Sequence, residues 1–236
     1  MTDMKILAID SSGLTASVAL VEDSLTIAEY TVNYKKTHSQ TLLPMIDEIF
    51  SMIQMKPEDV DVIAVSEGPG SFTGLRIGAA TGKGIALALD KKMVSVPTLA
   101  AMAYNLYGDD RYICPVMDAR RKHLYSGIYT FEGNRLVTKK DVSLISYEEL
   151  AQELAGLDRK VVLTGDGADV AGDFLKQQLG DKCVIAPPQI KSQRAGSIAL
   201  LAMQMAQEGL FVSADEMKPE YLRPSQAERE KAEHES

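Results

Sequence analysis

The sequence predicts an α/β fold that is built twice from one unit, with helices flanking a mixed five-stranded sheet in each half. Short apolar runs typical of strands alternate with stretches of helical periodicity along most of the chain. The order β-β-β-α-β-α occurs once before residue 108 and once after it. Asp118 follows Asp10 by 108 residues, and Gly165 follows Gly68 by 97. Landmarks that return in the same order at similar offsets indicate an internal duplication.

In the first half, three apolar runs separated by turn residues predict a β-meander, and two helix–strand pairs follow it. Pro57-Glu58-Asp59 ends the first helix, because proline interrupts a helix interior. The predicted elements are strands at 6–9, 17–21 and 26–32, a helix over 39–54, a strand at 60–65, a helix over 73–89, a strand at 93–96 and a helix from about 98.

The second half repeats this order and has its own glycine-bearing turn at Gly165-Asp166-Gly167. Its predicted elements are strands at 113–117, 124–129 and 135–139, a helix over 147–155, a strand at 161–164 and a helix that follows the turn. We expect two domains, residues 1–108 and 109–196, with a last helix over about 197–212 packing back on the first. Residues 225–236 are charged and almost without large apolar side chains, which predicts a disordered tail.

Composition places the chain among globular proteins. Of its 236 residues, 45% are apolar, which excludes a disordered, collagen-like or disulfide-scaffold protein. A net charge of −8 argues against holding nucleic acid or anionic membranes through the overall field. Cys114 and Cys183 are far apart in apolar settings, which predicts two buried thiols in a reducing compartment. With no signal-peptide pattern and no long apolar run, we expect a soluble cytoplasmic protein.

The turn Gly68–Gly74 has the sequence GPGSFTG and lies between a predicted buried strand and a helix, where backbone N–H groups can hold a phosphate. Thr73 replaces the third glycine of G-x-G-x-x-G, and the lysine of the Walker pattern is missing. A tight turn with Ser71 or Thr73 capping the helix is therefore favoured. Asp10 is predicted either to form an Asx turn or to hold a metal–phosphate through water. The candidates for a vestigial phosphate loop are Asp10, Ser11, Ser12, Gly68, Gly70 and Ser71.

The two helices of the first half carry more apolar and small residues than one sheet face requires. Apolar side chains cover about half of the helix over 39–54, where a stripe a little over 100° wide would cover a sheet. Either a neighbouring helix or a partner subunit covers the apolar side chains that the sheet does not. Gly74, Gly78 and Gly82 recur every four residues on the helix over 73–89 and form a glycine stripe. This stripe allows a close approach by the chain's own sheet or by another helix. We predict a subunit interface at Leu42, Leu43, Ile46, Ile49, Phe50, Ile53, Gly74, Gly78 and Gly82. Ile49→Asp is then expected to abolish association in a folded protein.

Catalytic and metal-binding patterns are sparse. The three histidines, His38, His123 and His234, have no ligand spacing, and G-x-S-x-G is missing, so we predict no catalytic residue, no metal site and no cofactor. Arg120-Arg121-Lys122 is the one dense basic patch. It is predicted to be either a solvated hairpin or a local contact for RNA or an acidic partner.

Several motifs together resemble one family. The duplicated order with Asp10 after the first strand resembles the actin-like (ASKHA, RNase H-like) ATPase superfamily. The stretches that look like the TsaB (YeaZ) family are ILAIDSS, HSQTLLPMIDE, SEGPGSFTGLRIG, PVMDARRKHLYSGIY and PEYLRPS. They are spread over nearly the whole chain, and SEGPGSFTGLRIG with DARR is far more specific than a lone glycine loop.

The resemblance implies a non-catalytic scaffold or activating subunit in the machinery that makes threonylcarbamoyladenosine in tRNA. It implies pairing with the larger TsaD-type transferase through the first-domain helices (39–54 and 73–89 here), docking of a TsaE-type ATPase, and contact with tRNA through the complex. The metal-binding His-x-x-x-His of the transferase is absent from this sequence. A homodimer is expected when the chain is alone, because an isologous contact reuses one patch. The alternative is an actin-like enzyme that hydrolyses ATP through Asp10, Gly68–Gly74 and Gly165-Asp166-Gly167.

Overall fold

The computed structural model describes residues 4–23, 25–34 and 37–222; the predicted tail at 225–236 lies outside them. The first sheet has the order β3-β2-β1-β4-β5, antiparallel from β3 to β1 and parallel from β1 to β5. Its elements are β1 (Lys5–Asp10), β2 (Ala16–Glu22), β3 (Leu25–Val32), α1 (His38–Ile53), β4 (Val62–Gly68), α2 (Phe72–Leu89) and β5 (Lys92–Pro97).

The second sheet has the order β10-β9-β6-β7-β8, which is the order of the first sheet with each strand advanced by five. The remaining elements are α3 (Thr98–Tyr104), β6 (Tyr112–Asp118), β7 (His123–Glu132), β8 (Arg135–Ser146), α4 (Tyr147–Ala155), β9 (Val161–Thr164), α5 (Gly167–Leu179), β10 (Cys183–Ile185), α6 (Pro188–Lys191) and α7 (Ala195–Gln207). The predicted duplication is confirmed. The predicted elements did not include β10, and β8 is longer than expected.

Each sheet is covered on both faces. Along β1, Leu7 packs toward α1 and α2 while Ile6 packs toward α7, as the two-residue period of a strand requires. We call this sheet with α1, α2 and α7 the first lobe. In the second lobe, α4 and α5 cover one face of the sheet and α3 the other. Cys114 and Cys183 are free and buried in this second lobe, as predicted. In the described ranges, no helix combines the length and hydrophobicity needed to cross a membrane.

Most of the apolar face of α1 belongs to the core, and this corrects the interface prediction. Leu42, Ile46, Ile49 and Phe50 are all buried in the first-lobe core, since α1 packs against β2, β3 and α2 together. Ile53 is half-buried against the same cluster. Of the predicted α1 interface residues, only Leu43 is exposed, at 58%. Ile49→Asp is therefore expected to disrupt the fold, not only an association.

The glycine stripe of α2 faces the chain's own sheet, which corrects the same prediction. A Cβ at Gly74 would overlap the carbonyl oxygen of Ser11, and one at Gly78 the Ser11 hydroxyl. At Gly82 it would overlap Val65 of β4. The stripe lets α2 approach the sheet closely, so these three buried glycines offer no surface to a partner. Gly84 is different, because a Cβ there would have no described neighbour within 4 Å.

Candidate functional site

A cleft lies between the two lobes. It is lined by residues that follow β1, β4 and β9 and by the end of β6, and its volume is about 1340 Å³. In open α/β sheets, ligands bind in the crevice outside the carboxyl ends of the strands. The predicted phosphate-loop residues and the basic patch both lie at or beside this cleft.

Asp10 holds its own loop. The Ser12 backbone N–H and hydroxyl both donate to Asp10 Oδ1, at 2.9 and 2.7 Å. These bonds form the Asx turn that was one of the two structures predicted for Asp10. The carboxyl is 1% exposed, and burial raises its pKa while the Ser12 hydrogen bonds act in the opposite direction. Ser11 is also buried, and its hydroxyl donates to the carbonyl of Gly74 at 2.9 Å.

The turn between β4 and α2 packs directly on this Asx turn. The Ser71 N–H donates to the Ser12 carbonyl at 2.6 Å, and a Cβ at Gly70 would overlap the same oxygen. Ser71 Oγ accepts from the Gly74 N–H at 3.3 Å, so Ser71 caps the helix as predicted. The two loops that would hold a phosphate are thus joined by their own backbones.

Gly68 accommodates a distant part of the chain. Residues 219–222, which we call the strap, cross it so closely that a Cβ there would overlap the carbonyl oxygen of Glu220. The Glu220 N–H donates to the Glu67 carbonyl at 2.6 Å. Burial raises the pKa of Glu67, and the charge of Glu220 adds to this effect while a bond to Ser95 opposes it. Two of the family-like motifs, SEGPGSFTG and PEYL, therefore contact each other.

An aromatic cluster fixes the strap to α2. The rings of Tyr221 and Phe72 lie 4.6 Å apart, and the Arg76 guanidinium lies 4.1 Å above the Phe72 ring. Arg76 Nε donates to the Tyr221 hydroxyl at 3.2 Å. This contact could not be predicted from the sequence. The motif was visible, but no local pattern shows what a segment 145 residues away contacts.

The second lobe contributes a similar wall. Asp118 Oδ1 accepts from the Arg120 N–H at 2.8 Å, and Oδ2 pairs with the Arg120 guanidinium at 3.0 Å. Arg120, Arg121 and Lys122 all have positive φ, at 66°, 54° and 57°, and all three are exposed. Such backbone costs roughly 1–2 kcal/mol per residue. Of the three, Arg120 lines the cleft.

The glycine turn of the second lobe is also packed against its first strand. A Cβ at Gly165 or Gly167 would overlap the backbone of Val116 in β6. Asp166 between them lines the cleft, and burial raises the pKa of its carboxyl. The described ranges contain no group of three or more His, Cys, Asp or Glu that could hold a metal ion.

A second candidate surface is the solvent side of α1 and α2. Leu87 is 64% exposed, and Ala80 and Gly84 lie on the same stripe of α2. A groove of about 700 Å³ beside Leu43 separates α1 from Ile85 of α2. We call this surface the outer helix face. It consists of Leu43, Asp47 and Ser51 of α1 with Thr73, Ala80, Gly84 and Leu87 of α2.

Comparisons with known proteins agree with one another. The family model for TsaD, tRNA N6-adenosine threonylcarbamoyltransferase, matches residues 26–231. The tRNA threonylcarbamoyladenosine biosynthesis protein TsaB of Bacillus subtilis (strain 168) is 33% identical over 228 residues, which are 95% of this chain and 96% of that protein.

Two solved structures support the fold. YeaZ from Pseudomonas aeruginosa superposes with a TM-score of 0.80 at 25% identity, covering 93% of this chain and all of that one. Component A of (R)-2-hydroxyglutaryl-CoA dehydratase from Acidaminococcus fermentans has a TM-score of 0.54 at 13% identity, covering 86% of this chain and 99% of the other, and shows the fold alone. The chain therefore belongs to the TsaB (YeaZ) family of tRNA threonylcarbamoyladenosine biosynthesis proteins, and it has the duplicated α/β fold of actin-like ATPases.

Proposed function

We propose that this protein is a non-catalytic scaffold or activating subunit of the cytoplasmic complex that transfers the threonylcarbamoyl group to N6 of a tRNA adenosine. In this proposal it pairs with a TsaD-type transferase and supports docking of a TsaE-type ATPase. It meets tRNA through the complex. Membership of the TsaB family supports the pathway, and the outer helix face supports the subunit role.

The outer helix face is the observation that carries the proposal. Its exposed leucines and small residues contrast with the exposed residues of α4, which include Glu148, Glu149 and Gln152. Exposed apolar surface of this kind marks interaction sites in soluble proteins. The TsaD family model matches most of this chain, so the transferase and this subunit are expected to share a fold.

Two chains of one fold can pair through corresponding faces. An isologous contact brings the same patch of each subunit together. The outer helix face can then meet its counterpart on the transferase, and it can meet itself when no transferase is present. This accounts for both the expected heterodimer and the expected homodimer.

The alternative, an ATP-hydrolysing enzyme, has less support. A phosphate cradle needs backbone N–H groups that point at the ligand, and the Ser71 N–H is donated to Ser12 instead. The glycines of the two turns are explained by contacts with the strap at Gly68, with the loop that follows β1 at Gly70 and Gly74, and with β6 at Gly165 and Gly167. Titration of the isolated chain with ATP separates the two functions, because binding at micromolar concentration would favour the enzyme.

The direct test is light scattering after size exclusion, on this chain mixed with its TsaD-type paralogue. Leu43→Asp and Leu87→Asp place charges on the outer helix face without touching the core, and Leu210→Asp is a control at another exposed leucine. We expect the wild type and the control to form the mixed complex and the two face variants to remain folded but separate. Mixed complexes that form equally well with both face variants would contradict the proposal.

A further inference from the structure

We propose that the interlobe cleft is a docking site for a short basic segment of a partner protein that carries an apolar or aromatic anchor. The choice of partner proteins rests on the proposed function, whereas the site itself is argued from the geometry of the cleft. Of the residues that define the outer helix face, only Thr73 at the start of α2 also lines the cleft, so the chain would offer its complex two different contacts.

The size of the cleft suits a chain segment. Its volume of about 1340 Å³ exceeds the roughly 300–1,000 Å³ of pockets that hold small molecules. The cleft is formed by both lobes and the strap, so an occupant would contact three separate parts of the fold at once.

Exposed apolar side chains line the cleft on all sides of the fold that form it. Leu14 is 68% exposed and Tyr34 72%, and Val170 of α5 lines the cleft from the second lobe with about half of its surface exposed. Tyr221 and Leu222 of the strap are also lining residues. Tyrosines are enriched among the residues that dominate interface energies, and grouped exposed apolar side chains mark interaction sites.

The charges inside favour a cationic occupant. Among the described lining residues, the carboxylates are Asp118, Asp166, Asp169 and Glu220, and the one cation is Arg120. Asp118 already pairs with Arg120, and Asp169 with Lys191 outside the lining. Asp166 and Glu220 form no ion pair with any described residue. A lysine or arginine of a partner would meet these two carboxylates, and opposite charges across an interface select the partner and speed its association.

The chemistry is unfavourable for an anionic ligand. A polyphosphate would meet the carboxylates of Asp166 and Glu220, and the Ser71 N–H on the first-lobe wall is already bonded to Ser12. A basic peptide avoids both problems, because it brings its own donors and needs none from the loops.

The experiment uses fluorescence anisotropy on the full chain with labelled peptides of about 15 residues, a length suited to groove recognition. The peptides tile the TsaD-type and TsaE-type proteins of the same organism, and one further peptide carries residues 223–236 of this chain. We expect the bound peptides to be basic with an apolar or aromatic residue, and their affinity to fall as salt is raised.

Matched variants locate the binding. Leu14→Ser and Glu220→Gln are expected to weaken binding by about tenfold each, as loss of an interface anchor or charge partner does. Leu210→Ser and Glu208→Gln are the controls at an exposed leucine and an exposed glutamate away from the cleft, and we expect them to bind like the wild type.

Three outcomes would overturn the proposal. The first is that every tiled peptide has a dissociation constant above about 100 μM. The second is that bound peptides are indifferent to Leu14→Ser and Glu220→Gln. The third is that only the 223–236 peptide binds, which would make the occupant the chain itself. Cleft variants are expected to keep the mixed complex in light scattering, so failure of this inference is distinguishable from failure of the proposed function.

Discussion

The two lobes have equivalent strand orders and make the same kinds of backbone contact at the cleft. The last residue of β1 and of β6 is an aspartate that accepts a hydrogen bond from the backbone two residues later, Asp10 from Ser12 and Asp118 from Arg120. After the fourth strand of each sheet, a glycine-bearing turn packs against the backbone at the end of the first strand. Both features therefore belong to the fold and do not by themselves indicate a ligand.

The lobes differ in their outer helices. In the first lobe, α1 has 16 residues and α2 has 18, whereas their counterparts α4 and α5 have 9 and 13. The longer pair carries the exposed Leu43 and Leu87, whereas the exposed residues of the shorter pair are largely charged or polar outside the cleft. Duplication preserved the backbone contacts of the unit, and the surfaces that differ between the copies are where specific partners are expected.

The largest expected effect distinguishes the buried side of α1 from its exposed side. Ile49→Ala should lower the free energy of unfolding by about 2–5 kcal/mol, because it leaves a cavity in a packed core. Leu43→Ala, six residues earlier on the exposed side, should change it by no more than about 0.5 kcal/mol. Urea denaturation measures both. Equal losses would show that Leu43 also belongs to the core and would remove the outer helix face.

Two glycines of α2 should respond with opposite signs. Gly74→Ala drives a methyl group into the Ser11 carbonyl, and overpacking of this kind costs about 1–3 kcal/mol. Gly84→Ala meets no neighbour and should stabilise the protein by about 0.8–1 kcal/mol through helix propensity. Urea denaturation again gives both values.

The second lobe supplies the control for this pair. Gly167→Ala would overlap the Val116 backbone and the Leu124 side chain, and we expect a loss comparable to that of Gly74→Ala. If Gly167→Ala were neutral while Gly74→Ala destabilised, the two turns would not be structural equivalents, and a ligand role for one of them would be reopened.

Both lobes bring a distant segment onto the glycine-bearing turn, since the Gly165 N–H donates to the Lys191 carbonyl at 2.7 Å, but only the strap is known to add an aromatic contact with the helix that follows, α2. Tyr221→Ala removes a ring that lies on Phe72, and such aromatic pairs contribute about 0.5–1.5 kcal/mol. Tyr221→Phe keeps the ring and loses only the bond from Arg76. Hydrogen exchange should rise at residues 219–222 and at the start of α2 in the alanine variant, and should stay near wild type in the phenylalanine variant.

Every strand except β10 could be predicted along the chain, because apolar runs, turn residues and landmarks such as Asp10 and Asp118 are local signals. The cap by Ser71 and the Asx turn at Asp10 were predictable for the same reason, since both involve residues within three positions of each other. The resemblance supplied the family and the expected partners.

The solvent exposure of α1 and α2 was predicted less well, because it depends on packing between distant elements. The sequence shows that Ile49 and Leu43 are both apolar, but only the packing of α1 against β2, β3 and α2 shows that the first is buried and the second is not. Likewise, the glycine stripe of α2 indicates a close approach but does not show which element approaches. The same holds for Gly68 in the turn before α2, where the neighbour is the strap, whose position cannot be deduced from local spacing.

The smallest expected effect concerns the charge of Asp10. Burial places the folded-state pKa of this carboxyl above its ordinary value. The folded protein then binds the proton more tightly than the unfolded chain, so the contribution to stability is complete below the ordinary pKa and is lost as the pH rises through the folded-state value.

Asp10→Asn keeps an oxygen that accepts both Ser12 hydrogen bonds and removes the charge. We expect this variant to be at least as stable as the wild type at pH 7 and to lose that advantage as the pH falls, in urea denaturation at several pH values. Asp10→Leu, which removes the acceptor as well, should be destabilised at every pH. An Asn variant that is clearly weaker at pH 7 would mean that the ionised carboxylate is stabilised by a cation, and Asp10 would then regain a role beyond its own loop.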